Sequence, residues 1–140
     1  TDHNRRIVRQ YRTLVTTTSY VSLNSIAISS FLLGGSVVGS DKWTFYGELR
    51  AVLARYSTGG GGHKLPFVLS KAPGASTGTL VVGSPTDFVG TSTQLCNVVL
   101  TSSSTVLTIQ GRTDTAGSSS IILVEMEGLF TGGAGPNHEE

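Results

Sequence analysis

The sequence predicts an all-β fold, an antiparallel β-sandwich of jelly-roll-like form with seven to nine strands. Three observations carry this prediction. Helical periodicity is nearly absent, strand-length runs recur between Gly, Pro, Ser and Asp, and one long segment alternates without a break. With no helix to cover a sheet, the remaining solutions are two packed sheets or a closed barrel, and the sandwich is expected. No fixed period recurs, which excludes a solenoid or a propeller.

The alternating segment is Trp43 to Tyr56. Trp43, Phe45, Gly47, Leu49, Ala51 and Leu53 share one face; Thr44, Tyr46, Glu48, Arg50, Val52 and Ala54 share the other. Period-two alternation of this length is a strand with one face in the core. Before it, Tyr11 to Thr18 is a Thr-rich strand candidate. Val21 to Ile28 starts in alternation and then shifts phase, as at a β-bulge. Phe31 to Val38 reads as two short strands turning at Gly34–Gly35. After it, Gly59 to Gly62 is expected as a flexible hairpin tip. Leu65, Phe67 and Leu69 return as a strand in which Pro66 marks an edge or a start. Thr79 to Val82, Leu95 to Leu100, Val106 to Gln110 and Ile121 to Glu127 follow, with a Ser-rich turn at Ser102 to Ser104. In the last strand Ile122, Val124 and Met126 face one way, and Ile121, Leu123, Glu125 and Glu127 the other. The domain expected is residues 13–131, after a basic N-terminal arm of residues 1–12 and before a disordered tail of residues 132–140.

Of 140 residues only 14% are charged, and the net charge is +1. A nucleic-acid partner is not expected, because phosphate recognition needs a basic footprint. The local exception is Arg5, Arg6, Arg9 and Arg12, either a solvated arm or an arm that docks on an acidic neighbouring surface. No segment reaches the roughly 18 apolar residues of a membrane span. The single cysteine, Cys96, permits no intrachain disulfide and is expected as a buried thiol. The chain begins at Thr1 without an initiating Met, as expected of a processed chain or part of a longer one.

Catalysis needs converging titratable groups, and few are offered. His3, His63 and His138 have no carboxylate or Cys at ligand or triad spacing and are expected at the surface. No Gly-x-Ser-x-Gly elbow occurs. The run Gly59 to Lys64 lacks the hydroxyl residue and the helix of a phosphate loop. Glu125 and Glu127 share a strand face, where a solvated face or an ion pair with Arg50 or Arg55 is expected rather than a glycosidase pair. The reading is a non-enzyme, with no catalytic, cofactor or metal residues assigned. Tyr46 and Tyr56, off the core register, are surface-contact candidates with Gly60 and His63.

The order Trp43-Thr44-Phe45-Tyr46-Gly47-Glu48-Leu49-Arg50-Ala51-Val52, a glycine-rich turn, Leu65-Pro66-Phe67-Val68-Leu69, Gly78 to Gly83, Val106 to Gly111 and Ser120 to Glu127 resembles a known group. It is similar to the β-sandwich domains that end bacteriophage tail fibres and tailspikes, with relatives among head fibres and capsid decoration proteins. One departure is that Leu123 and Val124 stand where such domains often carry a second Trp. The resemblance implies a homotrimer with exposed loops and no catalytic residues within the domain. The expected function is a virion structural module, in assembly or decoration or at a fibre tip, located on the extracellular particle. Its expected partners are capsid or shaft proteins. The alternative is a carbohydrate-binding module for a host surface glycan, with Tyr46, Tyr56 and the glycine tip as contacts.

Overall fold

The structure, a computed structural model, describes residues 5–28, 41–55, 59–72, 77–90, 93–117 and 119–134. Among these residues there are nine strands: β1 (Arg5–Val15), β2 (Val21–Ala27), β3 (Asp41–Arg55), β4 (Gly59–Lys71), β5 (Thr79–Val82), β6 (Thr86–Val89), β7 (Cys96–Thr101), β8 (Val106–Gly111) and β9 (Ser120–Ala134). All pairings are antiparallel. The larger sheet runs β1-β9-β3-β4-β5, with β6 also on β4, and the smaller runs β2-β8-β7. The expected all-β sandwich is therefore what forms. Its outer pairings are nested, β1 with β9 and β2 with β8, as in a rolled-up sheet, whereas β3–β4 and β7–β8 are plain hairpins.

The core lies between the sheets. Phe45, Leu49, Leu53, Leu65, Leu69, Ile122, Val124 and Met126 enter from the larger sheet, and Cys96, Val98, Leu107 and Ile109 from the smaller. These residues keep period-two spacing on their strands, so a strand buries one face and turns the other outward, although in β8 Thr108 is buried as well. Aromatic contacts tie neighbouring strands: Trp43 tilts against Phe130 at 5.3 Å between centroids, and Phe45 meets Phe67 edge-on at 5.8 Å. The phase shift expected near Val21 is a register shift between Ser22 and Asn24. The β7–β8 hairpin closes through Ser102, Ser103 and Ser104, all left-handed, with φ of 54°, 57° and 68°.

Four expectations are corrected. Arg5 to Arg12 is no arm outside the sandwich; it is the start of β1, paired residue for residue with β9 from Arg5–Phe130 to Val15–Ser120. Gly59 to Gly62 is no flexible tip; these glycines pair with Arg55, Ala54, Leu53 and Val52 inside the β3–β4 ladder. A side chain would not fit at Gly60, where a Cβ would lie 2.4 Å from the Leu53 carbonyl oxygen. β4 is an interior strand. Pro66 is tolerated there because its carbonyl, and so its missing N–H, points away from β3 and accepts from Gly83 N–H at 2.8 Å, where the neighbouring strand changes from β6 to β5. Gly132 to Ala134 belongs to β9, opposite Trp43 to Asp41. The turn expected at Gly34–Gly35, Tyr56 and residues 135–140 lie outside the described residues.

Candidate functional site

The outward face of the larger sheet is the candidate site, and its layout follows from register. Leu129, Tyr46, Val68 and Val81 stand side by side across β9, β3, β4 and β5. Of these Tyr46 is 68% exposed, and Leu129 and Val81 are 63% exposed. A second apolar region lies nearer the other end of the sheet. Leu14 faces Ile121, which faces Ala54; Leu123 faces Val52, itself more than half exposed. Beside Tyr46, the pleat leaves a groove of about 340 Å³ between Pro66, Val68, Val81 and Gly83, floored by the edge of Phe67. Apart from the Tyr46 hydroxyl, the side chains there offer no polar group.

Between the two apolar regions runs a charged belt. Arg50 on β3 donates from Nη2 to Glu125 at 2.6 Å and also to Glu127, and its Nη1 approaches Glu48 at 3.5 Å. Arg6 on β1 donates from Nε to Glu127 at 2.7 Å, and the Gln10 amide donates to Glu125 at 3.1 Å. Hydrogen bonds from Gln10 and Arg50 hold the Glu125 carboxyl below the usual carboxylate range, and those from Arg50 and Arg6 do the same for Glu127. The expected ion pair is thus made by Arg50. One arginine offsets three carboxylates, so Arg50→Met should leave like charges opposite each other at Glu48 and Glu127. The expected loss is about 1 kcal/mol by urea denaturation at pH 7. It should grow at low salt and fade once the pH falls below the carboxyl range, where the carboxylates protonate in both the folded and unfolded chains.

Of the arginines singled out in the sequence, Arg6, Arg9 and Arg12 do not form one patch. Arg6 and Arg12 point outward, and Arg9 lies on the opposite register of β1, with its Nη1 donating to the Val8 carbonyl at 3.0 Å. Gly60 is exposed.

His63 is a correction: it is 3% exposed. Its position on β4 is inward, and the start of β7 lies over it. The Leu95 N–H donates to Nδ1 at 3.2 Å, the Cys96 N–H points at Nε2 at 3.4 Å, and Nε2 lies 3.3 Å from Cys96 Sγ. This pair spans the two sheets, and no spacing in the sequence announced it. It is not an activated nucleophile. Burial pushes the Cys96 thiol up to about 12, and burial pushes the imidazole of His63 down, with the Arg112 charge adding to that. Thiolate is the reactive form, and here neither partner is charged at neutral pH. Close by, Arg112 stacks over Tyr20 at 4.3 Å and donates to the Gln94 carbonyl at 2.7 Å, fixing the loop that leads into β7.

Among the described residues, no three His, Cys, Asp or Glu are placed to share a metal ion, and no helix is long and apolar enough to cross a membrane. The sequence reading missed Leu129, Val68 and Val81. The signal was present: each is an apolar residue on the outward register of its strand.

No family model matches the chain, and no curated protein matches it. Among solved structures it is similar to the Acinetobacter phage vB_ApiP_P1 tailspike protein, with a TM-score of 0.47 and 13% identity over 89% of this chain. The chain spans 22% of the length of that tailspike.

Proposed function

We propose that the chain is a non-enzymatic structural module of a bacteriophage particle, that it forms a homotrimer, and that it acts by surface contact. It serves in particle assembly or decoration, or as a fibre-tip attachment domain, beside capsid or shaft proteins on the extracellular particle. The observation that carries the reading is the outer face of the larger sheet. Its exposed apolar rows, Leu129–Tyr46–Val68–Val81 and Leu14–Ile121 with Leu123–Val52, form a surface that an isolated domain has no reason to keep. Much of the charge in the belt between them is already met within the chain, by Arg50 with Glu125 and Glu127 and by Arg6 with Glu127, which lowers the cost of covering it. The resemblance of the strand order to fibre and tailspike sandwich domains supplies the particle, and the inert His63–Cys96 pair agrees with a role outside catalysis.

The test is the mass in solution. Light scattering is expected to give three times the chain mass. Tyr46→Lys combined with Leu129→Lys should give the single-chain mass with an unchanged far-ultraviolet spectrum. A wild-type chain that stays monomeric at high concentration removes the proposal.

The second reading is a carbohydrate-binding module, favoured by the open ring of Tyr46 above its groove. Sugar recognition needs directed hydrogen bonds besides an aromatic platform, and the lining beside Tyr46 is apolar. A glycan array without a ligand would end that alternative.

A further inference from the structure

The free edge of β1 is unlike the other sheet edges. Sheet edges are normally blunted by short strands, bulges, Pro or charged side chains, because an unpaired row of N–H and C=O groups invites another strand. The opposite edge of the same sheet is split into β5 and β6, four residues each, with Pro85 between them. In the smaller sheet, β2 carries a register shift and β7 has only six residues. β1 is neither short, bulged nor broken by Pro, and its arginines alone guard it, against a strand that is not acidic. It runs 11 residues, RRIVRQYRTLV, without Gly or Pro and in unbroken register with β9. Among the described residues no strand lies on its other side. It also overhangs the smaller sheet, since Arg9 and Thr13 share the inward register of buried Ile7 and Val15 and are nevertheless exposed.

We propose that the free edge of β1 is a strand-acceptor site for an extended, acidic segment of a partner protein, which adds to the larger sheet as a further strand. Backbone hydrogen bonds would supply affinity, and side chains at alternate positions would supply selectivity. The charge pattern selects the occupant. β1 contributes Arg5, Arg6, Arg9 and Arg12 and no carboxylate. Arg6 is shared with Glu127, whereas Arg9 and Arg12 have no carboxylate partner among the described residues. Arg9 and Arg12 flank the edge from its two faces, so carboxylates on an incoming strand can reach one on each side. A second copy of β1 is a poor occupant. Antiparallel pairing centred on Arg9 would set Arg6 against Arg12 and Arg9 against itself, and like charges directly opposite are destabilising. The inference rests on reading the chain as a contact module, but it uses a different surface from the apolar face.

The probe is a synthetic peptide of about nine residues of Val and Thr with two Glu three positions apart, which sets one carboxylate on each face of the added strand and spans most of such an edge. Its controls are the same peptide with Lys for Glu and the same peptide N-methylated at every second amide. The acidic peptide should protect β1 amides from hydrogen exchange and bind more weakly as salt rises. N-methylation, which removes the ladder without touching the charges, should weaken binding at least tenfold. Arg9→Glu with Arg12→Glu should lose the acidic peptide and favour the lysine peptide. Equal binding of the N-methylated peptide, or no change in β1 exchange, overturns the proposal. Light scattering on the same samples keeps the two readings apart: a trimer that ignores the peptide removes the acceptor edge alone, and a monomer that binds it removes the trimer alone.

Discussion

Gly128→Ala is expected to destabilise the protein by about 3 kcal/mol, the upper range for an overpacked interior site. Gly128 lies in β9 directly between Ile7 of β1 and Gly47 of β3. A Cβ there would stand 2.4 Å from the Tyr46 carbonyl oxygen, 2.7 Å from the Gly47 Cα and 2.8 Å from the Phe45 ring. The first two are backbone atoms, which no rotamer change can move. The β3–β9 ladder would have to open in the middle of the larger sheet. Gly47 makes the useful comparison. Its Cβ would meet the tip of the Phe67 ring at 2.6 Å and the Phe45 ring at 2.9 Å, and both are side chains that can tilt. Gly47→Ala should therefore cost less than Gly128→Ala, although the two glycines face each other. Urea unfolding of both variants measures this, and a Gly128→Ala loss below about 1 kcal/mol would show that the ladder has slack.

Mild acid should weaken the fold through His63 before any carboxylate takes part. The folded state holds this imidazole neutral, with Nδ1 accepting from Leu95 and the ring buried between the sheets. Burial, with the Arg112 charge adding to it, puts its pKa below the ordinary value of 6.5, so at lower pH the unfolded chain binds a proton that the folded chain refuses. Stability contributed this way is complete above the unfolded pKa. It falls as the pH drops from about 6.5 towards the folded pKa, with a limiting slope of about 1.4 kcal/mol per pH unit. Cys96 does not compete in this range, because its thiol is pushed up to about 12. Glu125 and Glu127 titrate below the ordinary carboxylate value of 4.5 and add their own loss only there. In His63→Gln, whose amide oxygen can still accept from Leu95, the slope between pH 6.5 and 5 should vanish while the more acidic one remains. A wild-type protein whose unfolding midpoint is flat across that interval would contradict the assignment.

What was legible in the sequence was local. Trp43, Phe45, Leu49 and Leu53 on one register and Tyr46, Glu48 and Arg50 on the other declare β3, because a pleated strand writes its burial with period two. The last core strand was legible for the same reason, at Ile122, Val124 and Met126. β1 was legible only in its second half, from Tyr11: its residues are exposed on both registers where it overhangs the smaller sheet, so burial leaves no alternation to read. β4 was shortened because glycine is a poor strand former by propensity, and at Gly60 propensity loses to the approach of the Leu53 carbonyl. β6 was overlooked because Thr86 to Val89 is four residues long and carries Asp87. The meeting of His63 with Cys96 depends on the packing of two sheets, and nothing in either residue's neighbourhood encodes it. The outer face was half legible: Tyr46 was picked out, and its neighbours Leu129, Val68 and Val81 needed the register that brings them beside it.

The place of β9 in the larger sheet has a consequence for when the molecule becomes competent. β9 is the last of the nine strands to be synthesised, yet it lies between β1, the first, and β3. A growing chain that has made only the earlier strands therefore has β1 and β3 with no neighbour to join them. Closing that sheet waits on contacts between opposite ends of the chain, the slow kind in folding. Leu129, Ile121, Leu123, Glu125 and Glu127 arrive with β9. The outer face, with its apolar rows and its ion belt, thus exists only once β9 has been made. Nascent copies crowded on one messenger RNA would have nothing complete to offer one another until translation of the domain ends.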